Sequence, residues 1–131
     1  MAAGKGESAV DRTDALIVDA FRRLLEETPL NKITVKMIVD QCGLNRNTFY
    51  YHFQDIPSLV QAYLREEADR LIADCRTASH PMDILRPMIR HFSEHRRASL
   101  HIYRYIPREA FLEHLNRMAD YFVRKILAEG Q

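Results

Sequence analysis

Cysteine is scarce in this sequence, and long apolar runs are absent. The chain holds two cysteines in 131 residues. Neither Cys42 nor Cys75 has a CxxC partner, so the sequence offers no disulfide framework and no cysteine-based metal motif. No apolar run approaches the roughly 18 residues that a membrane span requires, and residues 1–10 lack the apolar segment of a secretory signal. We therefore expect a soluble protein of the reducing cytoplasm.

Glycine and proline are also few, and this favours helices. The chain has four glycines and five prolines, and no segment shows the alternation of apolar and polar residues that is typical of a strand. A chain of this length can bury a hydrophobic core without disulfides or metals. The sequence predicts an all-α fold.

The sequence has almost no excess charge, with a net charge of +1 at pH 7. This disfavours a protein that binds nucleic acid non-specifically, because contacts to phosphates need Lys and Arg. It does not exclude a sequence-specific DNA-binding protein whose few basic groups lie on one face. Residues 86–108 are rich in arginine. They are most simply a solvated face, and the alternative is that some of them line a pocket for an acidic small molecule.

Helix-end signals divide the chain into seven predicted helices. Asp11 is the expected N-cap of the first helix, and Thr28-Pro29 ends it, because a residue before proline avoids the helical region. Gly43 stands where a left-handed residue would end the second helix. The N-caps predicted for the second, third and fourth helices are Thr34, Asn45 and Asp55.

Residues 34–59 are the most informative segment, because they form two short predicted helices joined by a tight turn and followed by a third. The second short helix has a polar tip at residues 45–48 and an aromatic cluster at residues 49–53. Phe49 and Phe53 are four residues apart and are predicted to be core, whereas Tyr50 and Tyr51 cannot both be buried easily. Major-groove readers place the first residues of a recognition helix against base edges, so the segment predicts a DNA-reading element.

The segment resembles the N-terminal domain of the TetR family of transcriptional regulators. The resemblance covers residues 11–64 and rests on Thr34, Ile38, Gly43, Leu44, Asn45, Thr48-Phe49-Tyr50, His52-Phe53 and Leu59. It implies a three-helix DNA-binding bundle with a helix-turn-helix, followed by helices that hold an effector pocket. It also implies a homodimer that binds a palindromic operator. The family commonly has a phosphate-binding Lys at the start of the fourth helix, where this chain has Ile56.

By position, the resemblance implies DNA contacts for Thr34, Lys36, Asn45, Arg46, Asn47, Thr48, Tyr50, Tyr51 and His52. Residues 46–48 would face bases or nearby phosphates. Tyr50, Tyr51 and His52 would contact the DNA backbone, and Thr34 and Lys36 would meet phosphates. Chemistry agrees for Arg46, which can offer a bidentate fork to guanine, and for Asn47, which can pair with adenine. His52 remains open between a phosphate donor and a structural residue bonded to nearby backbone.

The resemblance further implies an effector pocket after the fourth helix. The candidate lining residues are Met82, Met88, Phe92, His95, Tyr103 and Phe111. His91 and His95 are four residues apart but lack a third ligand at usable spacing, so we expect no metal site and no cofactor. No nucleophile–base pair, Gly-rich phosphate loop or HExxH motif occurs, so we do not expect an enzyme.

These observations predict a flexible tail at residues 1–10, a helix-turn-helix domain at 11–54, and a helical effector-binding and dimerisation domain at 55–131. The last is shorter than is usual in the family and is expected to be truncated at its C-terminus. The predicted function is a TetR-like regulator that binds an operator and responds to an effector. The alternative is a helical ligand-binding or protein-interaction module that no longer reads DNA, which the weak basic charge and Ile56 favour.

Overall fold

The computed structural model describes residues 9–76 and 79–129, and these residues contain seven α-helices and no strand. The helices are α1 (Ala9–Leu25), α2 (Val35–Cys42), α3 (Arg46–His52), α4 (Ile56–Cys75), α5 (Leu85–Glu94), α6 (Arg96–Tyr103) and α7 (Arg108–Glu129). Short 3₁₀ turns, Leu30–Lys32 and Pro81–Ile84, precede α2 and α5. The predictions of an all-α fold and of seven helices are confirmed. The tail predicted at residues 1–10 lies almost wholly outside the described residues.

The predicted helix ends of the N-terminal part are formed by local hydrogen bonds. The N-cap side chains accept hydrogen bonds from amides three residues on: Thr34 from Met37 at 3.2 Å, Asn45 from Thr48 at 2.9 Å and Asp55 from Ser58 at 2.9 Å. Each bond satisfies an amide that has no partner within its own helix. Gly43 is left-handed, with φ 72° and ψ 26°, and ends α2. The expected start at Asp11 is wrong, because α1 already includes Ala9.

A larger apolar core joins α1, α2 and α3 to the first half of α4 and to α6. Its buried members are Ile17, Val18, Ala20, Phe21, Leu25, Leu30, Ile33, Ile38, Val39, Phe49, Leu59, Val60, Tyr63, Leu64, Ala98 and Ile102. Phe21 and Tyr63 meet edge to face, with ring centroids 5.4 Å apart. Helices α4 and α6 therefore help to hold the helix-turn-helix in place, while the domain boundary after residue 54 stays a prediction.

A smaller core joins the second half of α4 to the turn before α5 and to α7. Its buried members are Ala68, Leu71, Cys75, Ile84 and Met118. Helix α7 contributes one buried residue to it and leaves Leu115 and Ile126 nearly half exposed. None of the described helices is both long enough and apolar enough to cross a membrane.

Charged residues tie α1 to α4 between the two cores. Arg22 donates to Asp19 at 2.9 Å within α1 and to Glu66 of α4 at 2.7 Å. Its Nε also lies 3.5 Å from Oε2 of Glu67, a carboxylate that is itself buried. On the other side, Nε2 of His91 in α5 lies 3.6 Å from the same carboxylate. The first helix is thus connected through Glu67 to α4 and α5, the helices that follow α3.

Candidate nucleic-acid interface and ligand cavity

Phe49 determines which side of α3 faces outward. Its side chain is fully buried, and its ring centroid lies 6.0 Å from that of Phe53. Since neighbouring positions on a helix point in different directions, the burial of Phe49 leaves Tyr50 54% exposed and Tyr51 77% exposed. The core assignment of Phe49 is confirmed, and Phe53 packs partly buried against the same core.

Most of the side chains predicted to contact DNA are exposed at α2, at α3 or at their N-caps. The exposed residues are Thr34, Lys36, Asn45, Arg46, Asn47, Tyr50 and Tyr51. Thr48 is half-buried. These residues are therefore accessible to a large partner, but exposure does not show that they bind one.

Local hydrogen bonds separate these residues into two groups. The side-chain Oδ1 of Asn45 accepts from both the backbone amide and the hydroxyl of Thr48, at 2.9 Å and 3.1 Å, and Lys36 donates to Asp40 at 2.7 Å. The side chains of Arg46 and Asn47 make no hydrogen bond or ion pair with the described part of the chain. Their donors on the first turn of α3 are therefore available to a ligand.

His52 differs from the other candidates, because its side chain is only 6% exposed. Its Nδ1 lies 2.5 Å from Oδ1 of Asp14 on α1, although the contact lacks the geometry of a hydrogen bond. The imidazole therefore faces the body of the domain. This placement favours the structural alternative for His52, with a carboxylate as the neighbour in place of the expected backbone group.

A cavity of about 340 Å³ lies between α5, α6 and α7. Its lining residues are Met88, Phe92, Tyr103, Phe111, His114, Leu115 and Met118. Two of the predicted lining residues lie elsewhere: Met82 is 72% exposed, and His95 borders a separate cleft. The last three lining residues were not predicted, although their spacing from Phe111 places them on one face of a helix.

The polar groups of this cavity are two neutral side chains. Oη of Tyr103 lies 3.2 Å from Nε2 of His114. Burial raises the pKa of Tyr103 to about 12, with a further contribution from Glu67. Burial lowers the pKa of His114, and the charge of Arg117 lowers it further. Both groups are therefore uncharged at pH 7, and Nδ1 of His114 is buried without a hydrogen-bond partner among the described residues.

The arginines of residues 86–108 do not line this cavity. All six are exposed: Arg86, Arg90, Arg96, Arg97, Arg104 and Arg108. An arginine-lined pocket for an acidic ligand is therefore not found in this cavity, although Arg90 and Arg104 each border another cleft. The simpler interpretation of a solvated face agrees with the exposure.

His91 and His95 pack ring to ring, with centroids 4.9 Å apart. Burial is the main cause that lowers the pKa of His91, while Glu67 acts in the opposite direction. Within residues 9–76 and 79–129, no group of three or more His, Cys, Asp or Glu side chains is arranged to hold a metal ion.

Comparisons with known proteins cover the N-terminal part of the chain. The family model described as bacterial regulatory proteins, tetR family, matches residues 17–63, which include α2 and α3. The HTH-type transcriptional repressor Rv1474c of Mycobacterium tuberculosis is 33% identical over 57 residues, a match that covers 44% of this chain and 30% of that protein. No solved structure matches the chain significantly. Together with the helix-turn-helix geometry, these matches show that residues 17–63 are an N-terminal helix-turn-helix domain of the TetR family of bacterial regulatory proteins.

Proposed function

We propose that the protein is a cytoplasmic transcriptional regulator that binds a palindromic DNA operator as a homodimer, and that a small-molecule effector modulates this binding. The observation that carries the proposal is the first turn of α3. There Arg46 and Asn47 are exposed and unpaired within the described residues, and buried Phe49 holds the helix in a TetR-family domain.

Each exposed group has a role that suits its chemistry. Arg46 would bind O6 and N7 of a guanine, and Asn47 would bind N6 and N7 of an adenine. Hydroxyl, amide and ammonium groups suit phosphate oxygens, which take half or more of protein–DNA hydrogen bonds. The proposed phosphate-contacting residues are Thr34, Lys36, Asn45, Thr48, Tyr50 and Tyr51. Buried His52 would instead support α3 from behind.

A second copy of the chain is the proposed occupant of the apolar face of α7. Leu112, Leu115, Val123 and Ile126 are each 44–54% exposed, and their spacing places them on one side of the helix. An exposed apolar stripe of this kind is typical of an interface. A palindromic operator needs two recognition helices about 34–36 Å apart, and a two-fold dimer through α7 would present two copies of α3.

Helix α6 supports the effector part of the proposal, because it contacts both the cavity and the helix-turn-helix. Tyr103 lines the cavity, while Ala98 and Ile102 are buried in the larger core. Nδ1 of His101 lies 2.6 Å from the carbonyl oxygen of Leu25 at the end of α1. A ligand that prefers one position of α6 would therefore bias the position of α1, and its effect is limited by that preference.

The proposal is tested by selecting duplexes from a random DNA library with the purified protein. Binding of the selected duplex and of a scrambled one is then measured by fluorescence anisotropy at increasing salt. We expect specific binding that weakens with salt. Arg46→Ala should cost about 1–3 kcal/mol and relax specificity at one base pair, whereas Arg86→Ala, which removes an exposed arginine of α5, should leave specificity unchanged.

Equal affinity for selected and scrambled DNA at low salt would contradict the proposal and favour the alternative, a helical ligand-binding or protein-interaction module. Two observations support that alternative. Ile56 is half-buried against the larger core at the start of α4, where the family commonly has a phosphate-binding Lys. Lys36 is neutralised by Asp40. Both reduce the positive charge available to phosphates.

A further inference from the structure

We propose that the cavity between α5, α6 and α7 binds an uncharged aromatic molecule that carries one hydrogen-bonding group, and that this group pairs with the Tyr103 hydroxyl, which His114 holds in place. The proposal rests on the proposed effector regulation and adds the chemical class of the effector. An uncharged effector differs from the acidic ligand that is the alternative interpretation of the arginine-rich residues 86–108.

The size and lining of the cavity favour an aromatic ligand. A volume of about 340 Å³ is at the lower end of the roughly 300–1,000 Å³ that ligand sites span, so it suits a molecule with one substituted ring. Phe92, Tyr103 and Phe111 offer ring faces and edges, which bind other rings in offset or edge-to-face geometry. Met88 and Met118 add thioethers, which contact aromatic rings favourably.

Hydrogen-bonding capacity in the cavity is concentrated at one place. The Tyr103 hydroxyl and the His114 ring lie side by side on α6 and α7, 3.2 Å apart. Nδ1 of His114 is buried and has no partner in the described part of the chain, although buried polar atoms are normally hydrogen-bonded. Because Nδ1 is shielded from the cavity, the open position belongs to the Tyr103 hydroxyl, which uses one hydrogen-bonding site on Nε2 of His114 and keeps another for one polar group of a ligand. The rest of the lining offers only apolar contact.

The absence of charge in the described lining disfavours ionic ligands. None of the lining residues is Asp, Glu, Lys or Arg, and burial keeps both Tyr103 and His114 uncharged at neutral pH. A carboxylate or an ammonium group beside Tyr103 would lose part of its hydration without gaining a counter-ion, which is unfavourable. A phenol-like hydroxyl loses less hydration and gains a hydrogen bond in return.

Three probes of similar size test the assignment on the free protein: 4-propylphenol, propylbenzene and 4-propylbenzoate. They share the ring and chain, and differ in carrying a neutral polar group, none, or a charge. Binding is followed by NMR of ¹³C-labelled methionine methyl groups. Met88 and Met118 line the cavity, while Met37 and Met82 lie elsewhere and serve as internal controls.

We expect 4-propylphenol to bind most tightly and to shift the Met88 and Met118 signals alone. Propylbenzene should bind about three- to tenfold more weakly, as for loss of one neutral hydrogen bond, and 4-propylbenzoate should not shift these signals. Tyr103→Phe should weaken 4-propylphenol binding by the same factor and leave propylbenzene binding unchanged. Tyr105→Phe is the matched control, because Tyr105 lies outside this cavity.

Benzoate binding as tight as phenol binding, or an unaltered affinity in a folded Tyr103→Phe variant, would overturn the ligand class. A lack of shifts at Met88 and Met118 with all three probes would overturn the site itself. The comparison of the three probes uses the natural chain and needs no variant. It also needs no DNA. A failure of operator binding would therefore count against the proposed function only, and the ligand class could still be decided from the three probes.

Discussion

The two halves of α4 lie in different surroundings. The first half contributes Leu59, Val60, Tyr63 and Leu64 to a core shared with α1, α2, α3 and α6. The second half contributes Ala68, Leu71 and Cys75 to a smaller core shared with α7. One continuous helix therefore links a region with an extensive core of its own to a region with few buried residues.

Exposed apolar side chains show what this difference means. In the N-terminal part the large exposed ones are Leu16, Tyr50 and Tyr51. In the later helices they are Met82, Leu85, Ile89, Phe92, Leu100, Tyr105, Leu112, Leu115, Val123, Ile126 and Leu127. Large exposed apolar surfaces mark interaction sites. The helix-turn-helix part covers its own apolar residues, whereas the later helices present surface that fits a partner and a ligand.

The largest difference is expected between one phenylalanine of each region, Phe49 and Phe92. Phe49→Ala should lower the free energy of unfolding by about 3–5 kcal/mol, because the full side chain is lost from a closed core. Phe92→Ala removes a ring that is 41% exposed and should cost far less. Urea unfolding measures both, and similar losses would contradict the distinction between the regions.

A change on the face of α7 should affect association while leaving the fold intact. We expect Ile126→Ser to weaken the dimer by about 2 kcal/mol, since the side chain is removed from both copies of a buried contact. Arg124→Ser is the matched control, because Arg124 is a neighbouring polar residue that is 80% exposed. Sedimentation equilibrium gives the dissociation constants, and a natural chain that is monomeric at all concentrations would exclude this interface.

Local interactions explain why so much of the N-terminal part could be predicted from sequence. The caps at Thr34 and Asn45 join side chains to amides three residues away, and Gly43 supplies a left-handed conformation that few other residues adopt. His52 could not be placed in this way. Its neighbour Asp14 is on another helix, and only the packing of α1 against α3 brings the two together.

The cavity was less predictable because its lining depends on how three helices meet. The sequence predicts four of its lining residues from their apolar or aromatic character and their position after α4. These are Met88, Phe92, Tyr103 and Phe111. Met82 was expected with them, but the chain forms a 3₁₀ turn at Pro81–Ile84 and leaves Met82 in solvent. The composition of residues 86–108 left two interpretations open, a solvated face and a charged pocket, because sequence alone cannot show that none of these arginines lines this cavity.

Two asparagines of the α3 tip should separate stability from DNA binding. Asn45→Ala should lower the free energy of unfolding by about 1 kcal/mol, because the N-cap bonds to Thr48 are lost. Asn47→Ala should leave stability nearly unchanged, because Asn47 makes no bond within the described residues, but it should weaken specific DNA binding. Thermal unfolding and anisotropy measured on both variants check this, and a destabilised Asn47→Ala would contradict it.

The smallest expected effect is a pH dependence that arises in the later helices. Burial lowers the pKa values of His91 and His114 below the ordinary 6.5. As the pH falls through 6.5, the unfolded chain therefore takes up protons that the folded chain does not bind, and stability is lost. The melting temperature should fall between pH 7.5 and pH 5.5, and His114→Gln should reduce that fall. His80→Gln, at an exposed position, should not, and equal slopes in all three proteins would show that burial of His114 does not control the acid sensitivity of this region.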